Sequence, residues 1–166
     1  MKGQNPERAL ALHATSRGFA FCVFDGPGTL SDWGIKHVGT GDKNKNSILV
    51  IEHLVARFDP HFIVIEDVTE AGGRRSARVK HLYRDVEKLA DRGNLDTYSY
   101  PWQMVFSVFA DGKPQTRHDL ATMIAVILPQ IGRRLPPKRK AWLPMDPRRA
   151  LFDAAALAIT HYAANG

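Results

Sequence analysis

Apolar positions change period several times along this chain, and each change marks an element. Ala9 to Ala14 is a short, almost unbroken apolar run, and Gly18 to Phe24 is a second, rich in aromatic residues. Both read as buried strands. Asp25-Gly26-Pro27-Gly28 is a strong turn signal, after which Leu30 to Val38 makes a third strand. Connections this short imply an antiparallel meander. Gly39 to Asn46 is polar and glycine-rich, hence a loop. Ile48, Ile51, Leu54, Val55 and Phe58 then recur at helical spacing until Asp59-Pro60 stops the pattern. His61 to Glu66 contains Phe62-Ile63-Val64-Ile65, a run suited to a central strand covered on both faces.

The second half alternates differently. Thr69 to Ser76 is a loop, and Ala77 to Arg92 a helix with Gly93 at its C-terminal cap. Leu95 to Tyr100 is a fifth strand. Pro101 opens a short helix through Phe109, and Asp111-Gly112-Lys113-Pro114 is a turn. Arg117 to Ile131 reads as a helix whose end Pro129 should disturb. Gly132 to Arg149 has three prolines before Asp146 and seven basic residues against one acid, and reads as a loop. Pro147 to Ala163 closes the chain as a helix, with Ala154, Ala155, Ala156 and Ala158 allowing close approach to a sheet. The result is an α/β fold: a mixed five-stranded sheet with helices packed on it, in one domain over residues 1–166.

Composition narrows the function classes. At 166 residues, 44% hydrophobic and 24% charged, the chain can bury a core. Its formal charge of +6 suits a polyanionic partner such as nucleic acid. The lone Cys22 lies in an apolar run, closes no internal disulfide and reads as a small buried hydrophobe. The N-terminus lacks the apolar core of a signal peptide, and no apolar stretch reaches membrane-spanning length, so a cytoplasmic protein is expected. There is no P-loop glycine motif, which weakens a nucleotide-binding reading.

Three residues stand out for chemistry. His13 lies at the end of the first strand, Glu66 at the end of the fourth, and Asp153 in the last helix among small residues. Charged groups in apolar surroundings are costly unless paired or bound to a cation. Acids gathered at strand ends suit Mg²⁺, and two such ions suit phosphodiester cleavage. Each residue also has a plainer reading. His13 is equally a hydrogen-bonded core histidine, Glu66 a strand-end charge reaching water, and Asp153 a carboxylate capped by a nearby arginine. Asp146 before Pro147 reads as the N-cap of the last helix. His161 sits about 12 Å along the helix from Asp153, and Asp67 points to the sheet face opposite Glu66, so neither joins the group.

Three segments, 9–20 from Ala9 to Ala20, 62–66 from Phe62 to Glu66, and 152–161 from Phe152 to His161, resemble in order and spacing the opening strand and glycine turn, the central strand and the terminal helix of RuvC-type Holliday junction resolvases, of the ribonuclease H-like superfamily. The resemblance implies that fold, with helices on both faces of the sheet, and a dimeric, metal-dependent endonuclease cutting branched DNA such as four-way junctions. It makes His13, Glu66 and Asp153 the catalytic residues and the ligands of Mg²⁺ or Mn²⁺. Two departures stand against full activity: the family has an aspartate where this chain has His13, and a second helix acid where it has Ala150. Imidazole is a poor partner for hard Mg²⁺ and a better one for Mn²⁺. The alternative is therefore a module that binds branched DNA without efficient cleavage. Two basic clusters suit phosphate: Arg74, Arg75, Arg78 and Lys80 after the fourth strand, and Lys138, Arg139 and Lys140 before Trp142.

Overall fold

The computed structural model describes residues 7–69, 75–140 and 142–166. Five strands, β1 (Ala9–Ala14), β2 (Gly18–Phe24), β3 (Leu30–His37), β4 (Phe62–Glu66) and β5 (Asp96–Tyr100), form one sheet in the order β3-β2-β1-β4-β5. The first three pair antiparallel; β4 and β5 continue the sheet parallel to β1. Gly18 is required at the β1–β2 turn, because a Cβ there would lie 2.0 Å from the Lys36 carbonyl oxygen.

Strand parity then sorts the side chains between two cores. Leu10, Leu12, Phe21, Val23, Ile63 and Ile65 pack against α1 (Lys43–Phe58) and α2 (Ala77–Arg92) on one face. Ala9, Ala11, Ala20, Cys22, Phe62 and Val64 face the other way, toward α3 (Trp102–Val108), α4 (Arg117–Ile127), α5 (Pro129–Gly132) and α6 (Pro147–Asn165). The mixed sheet with helices on both faces is the expected architecture. Helix α6 lies against the sheet through fully buried alanines, and the Cys22 thiol is 3.5 Å from the Leu151 carbonyl. Burial pushes that thiol's pKa up, which leaves it an inert hydrophobe.

Several boundaries move for identifiable reasons. The expected helix over 117–131 is two: Leu128 leaves helical geometry at φ −120°, ψ 79°, because the proline that follows it disfavours the α region. Helix α1 begins inside the polar stretch expected to be a loop, because the Asp42 side chain accepts a hydrogen bond from the Lys45 N–H and caps it. Gly93 is the C-cap of α2 as expected, its N–H directed at the Leu89 and Ala90 carbonyls, and the residue with positive φ is the Asn94 that follows it (55°). Strand β3 stops one residue early, at His37, β5 starts one late, at Asp96, and α6 runs two residues past Ala163. No helix among the described residues is long and apolar enough to cross a membrane.

Candidate functional site

The parity that sorts the core also assembles the site. His13 and Glu66 share the sheet face that carries α6, and the parallel β1–β4 register, Ala11 opposite Val64, continues to set them level. Asp153 enters from the second turn of α6, whose start is fixed by the Asp146 cap and Pro147. All three are at most 2% exposed. His13 Nε2 lies 3.7 Å from Glu66 Oε1 and 3.8 Å from Asp153 Oδ2. The three residues picked out in the sequence therefore converge at one end of the central strands.

They do not converge alone. Arg75 Nε lies 2.8 Å from Glu66 Oε1, Arg117 Nη1 3.4 Å from Asp153 Oδ1, and Arg149 Nε 3.6 Å from Asp153 Oδ2. Glu66 also accepts hydrogen bonds from the Tyr83 hydroxyl (2.7 Å) and the Trp102 indole N–H (2.8 Å). The Arg117 guanidinium stacks on the Trp102 ring at 3.3 Å, which fixes its plane. Tyr83 in turn accepts from the Ala14 N–H, and Arg75 donates to the Ala14 carbonyl, so both are anchored to the end of β1. Among the described residues the centre thus holds three guanidiniums against two carboxylates.

His13 does not add to that charge. Burial, opposed by Asp153 and reinforced by the three arginines, lowers its pKa to about 3, so the imidazole is neutral at physiological pH. Among the described residues neither of its ring nitrogens has a hydrogen-bond partner, nor do Asp153 Oδ2 and Arg149 Nε, and Arg75 Nε, though close to Glu66, is not aligned to donate to it. Burial, with the nearby Glu66, raises the Tyr83 pKa, so its hydroxyl stays a donor to Glu66.

These residues do not fit a divalent metal centre. The spacing of His13 from the two carboxylates is no obstacle, but the carboxylate oxygens already face fixed cations and N–H or O–H donors. At an effective dielectric of 20, two unit charges 4 Å apart interact by about 4 kcal/mol, and a divalent ion doubles the repulsion from each guanidinium. Ala150, fully buried, supplies no further acid. No group of three His, Cys, Asp or Glu placed to hold a metal occurs among the described residues.

The basic clusters fare unequally. Arg75 and Arg78 turn inward: Arg78 donates to the Thr15 carbonyl (2.9 Å) and to Asn44 (3.2 Å). They hold the β1–β2 turn instead of lying free on the surface. Lys80 is half-buried on α2, and Arg74 lies outside the described residues. Lys138, Arg139 and Lys140 are exposed, Lys140 standing 5.2 Å over the Trp142 ring. His161 packs away from the site, its Nδ1 2.7 Å from the Tyr100 hydroxyl. Sequence reasoning missed Tyr83, Trp102 and Arg117, which come from three separate helices or their ends. Arg149 carried a readable signal, since it precedes Asp153 by one helical turn.

No protein-family model and no curated protein matches the chain. Solved structures do. Thermus thermophilus RuvC superposes with a TM-score of 0.66 at 18% identity, covering 95% of each chain. The same organism's RuvC in complex with a Holliday junction substrate gives 0.65 at 17%, over 93% of this chain and 92% of that one. The yeast mitochondrial Holliday junction resolvase gives 0.58 at 15%, over 98% and 82%. These superpositions, each over more than nine-tenths of this chain, show a RuvC-type, ribonuclease H-like fold.

Proposed function

We propose that this protein is a resolvase-like module that recognises branched DNA and holds it without metal-dependent cleavage. One observation carries the reading: Glu66 and Asp153, the acids that would hold divalent ions, are neutralised instead by Arg75, Arg117 and Arg149. Support for the substrate class comes from the fold, since a similar chain of 92% matched length is seen with a Holliday junction substrate. The net charge of +6 and the exposed cluster Lys138, Arg139 and Lys140 suit a phosphate backbone. A two-fold junction is matched best by a two-fold protein, so the binding species in this reading is a homodimer.

A second reading, a metal-dependent junction endonuclease, is favoured by the meeting of His13, Glu66 and Asp153 at one point. A single experiment separates the two: binding and cleavage of a labelled four-way junction, with Mg²⁺, with Mn²⁺ and with EDTA. The binding reading expects tighter binding to the junction than to linear duplex, unchanged by EDTA, and intact strands in both metals. Metal-dependent nicking that Glu66→Gln abolishes would establish the endonuclease. Equal affinity for junction and duplex would remove the branched-DNA reading.

A further inference from the structure

A cavity of about 530 Å³ opens between the N-terminal turn of α4 and the segment leading into α6. Its apolar lining comes from Pro136, Pro137, Leu143, Pro144 and Met145. Arg117 and Arg149, the same two guanidiniums that reach Asp153, also line it, together with Lys138, Arg139, Lys140 and, at the start of α4, Thr116 and His118. Asp146 is the carboxylate among the lining residues, and it is already engaged by Arg148 at 2.6 Å and by its capping bond to the Arg148 N–H. The lining therefore offers five cations with one paired acid. Trp142 stands next to this wall, 76% exposed.

We propose that this cavity is a subsite for one unstacked nucleotide of the bound nucleic acid, with its phosphate on Arg117 and Arg149 and its base against the proline and methionine wall. The inference rests on the nucleic-acid reading above and gives it a place on the surface. A volume of this size falls in the range of small-ligand sites, which combine apolar walls with a few oriented polar groups. Both guanidiniums are pre-oriented: Arg117 is stacked on Trp102, and both are drawn toward Asp153. Among the described residues, buried Arg149 Nε and Asp153 Oδ2 have no hydrogen-bond partner. Guanidinium groups suit phosphate oxygens through paired N–H donors. Trp142, beside Lys140, offers the next base a stacking face, the combination used by single-strand binders. A purely anionic protein segment would match the cations but leave the apolar wall without a partner.

The test is titration of the full chain, with methyl-labelled methionine, by thymidine 5′-monophosphate, thymidine, inorganic phosphate and a hexaglutamate peptide. The nucleotide is expected to shift the Met145 methyl resonance and to bind at least tenfold more tightly than thymidine or phosphate. Lys138→Glu, at an exposed position on the rim, is expected to weaken it at least fivefold with an unchanged fold. Equal binding of phosphate and nucleotide would reduce the cavity to an anion site and overturn the proposal, as would tighter binding of hexaglutamate. A Met145 methyl unmoved at saturation overturns it too, even in a protein that prefers junctions. A nucleotide that shifts Met145 in a protein blind to junctions supports the subsite and removes only the branched-DNA reading.

Discussion

Neutralising Asp153 distinguishes a salt-bridged centre from an ion-free metal site by the sign of the stability change. In a metal site without its ion, clustered carboxylates repel each other, and Asp→Asn stabilises the fold. In this protein Asp153 faces Arg117 at 3.4 Å and Arg149 at 3.6 Å, itself almost wholly buried. At an effective dielectric of 20, each such contact is worth about 5 kcal/mol of direct attraction. Desolvating the carboxylate returns several kcal/mol of that. Removing one partner of a buried pair typically costs about 3–5 kcal/mol, because the other charge is left uncompensated. The arginine side chains are 27% and 28% exposed and regain some hydration, which places Asp153→Asn near the lower end, about 3 kcal/mol. For a chain of this size that lowers Tm by about 6–12 °C. The assay is urea and thermal unfolding in EDTA, repeated in 10 mM Mg²⁺. Wild type should be insensitive to the ion, whereas an ion present at 100 times its Kd would add about 2.7 kcal/mol. An Asp153→Asn variant as stable as wild type, together with a Mg²⁺-dependent rise in wild-type Tm, would refute the reasoning.

Three further outcomes follow from the same geometry. His13 has a folded pKa of about 3, below the unfolded 6.5, so the unfolded chain binds the extra proton between those values. Its contribution is fully present above pH 6.5 and lost toward pH 3, by at most about 1.4 kcal/mol per pH unit; His13→Asn should unfold with a visibly flatter acid slope in pH-dependent urea titrations, and an identical slope would contradict it. Replacing Lys138, Arg139 and Lys140 together by Ala should flatten the log–log salt dependence of junction binding by up to about three units, with unchanged Tm. His13→Asp supplies a third carboxylate to three guanidiniums; it should raise thermal stability and leave the junction uncut in Mg²⁺, and gain of cleavage would show that the arginines yield to metal.

Most of the fold is legible because strand parity and apolar period dictate it. The continuous run Phe62–Ile65 cannot sit at a solvated edge, and it lies inside the sheet between β1 and β5. The three residues of the site are legible for a related reason: His13, Glu66 and Asp153 each border an apolar run, where a polar group is costly unless it is paired. Their partners are not legible in the same way. Arg75 and Arg78 look like surface charge in a basic stretch, yet they bond the β1–β2 turn because that turn comes alongside the start of α2 only in three dimensions. Tyr83 and Trp102 read as ordinary core aromatics, and nothing local to them signals that their polar tips end on Glu66. The helix break at Leu128 follows from Pro129, and the capped start of α1 at Asp42 was masked by the polar residues that follow it.

Electrostatics explains how a ribonuclease H-like sheet can keep buried carboxylates without an ion. Glu66 and Asp153 sit where the strand ends and α6 leave no water to hydrate them, so each needs a cation or hydrogen-bond donors. A divalent ion meets that need from solution and, with enough acids, activates water. A guanidinium meets it from within the chain, carries no exchangeable water and supplies no Lewis acidity. With His13 neutral and Ala150 apolar, the two carboxylates carry too little negative charge to draw a divalent ion past three tethered guanidiniums. The excess positive charge that results is useful only to an anion, and Arg117 and Arg149 direct it toward the cavity beside the basic segment. On the reading proposed above, two carboxylates held by three guanidiniums leave this centre better suited to a phosphate than to a metal ion.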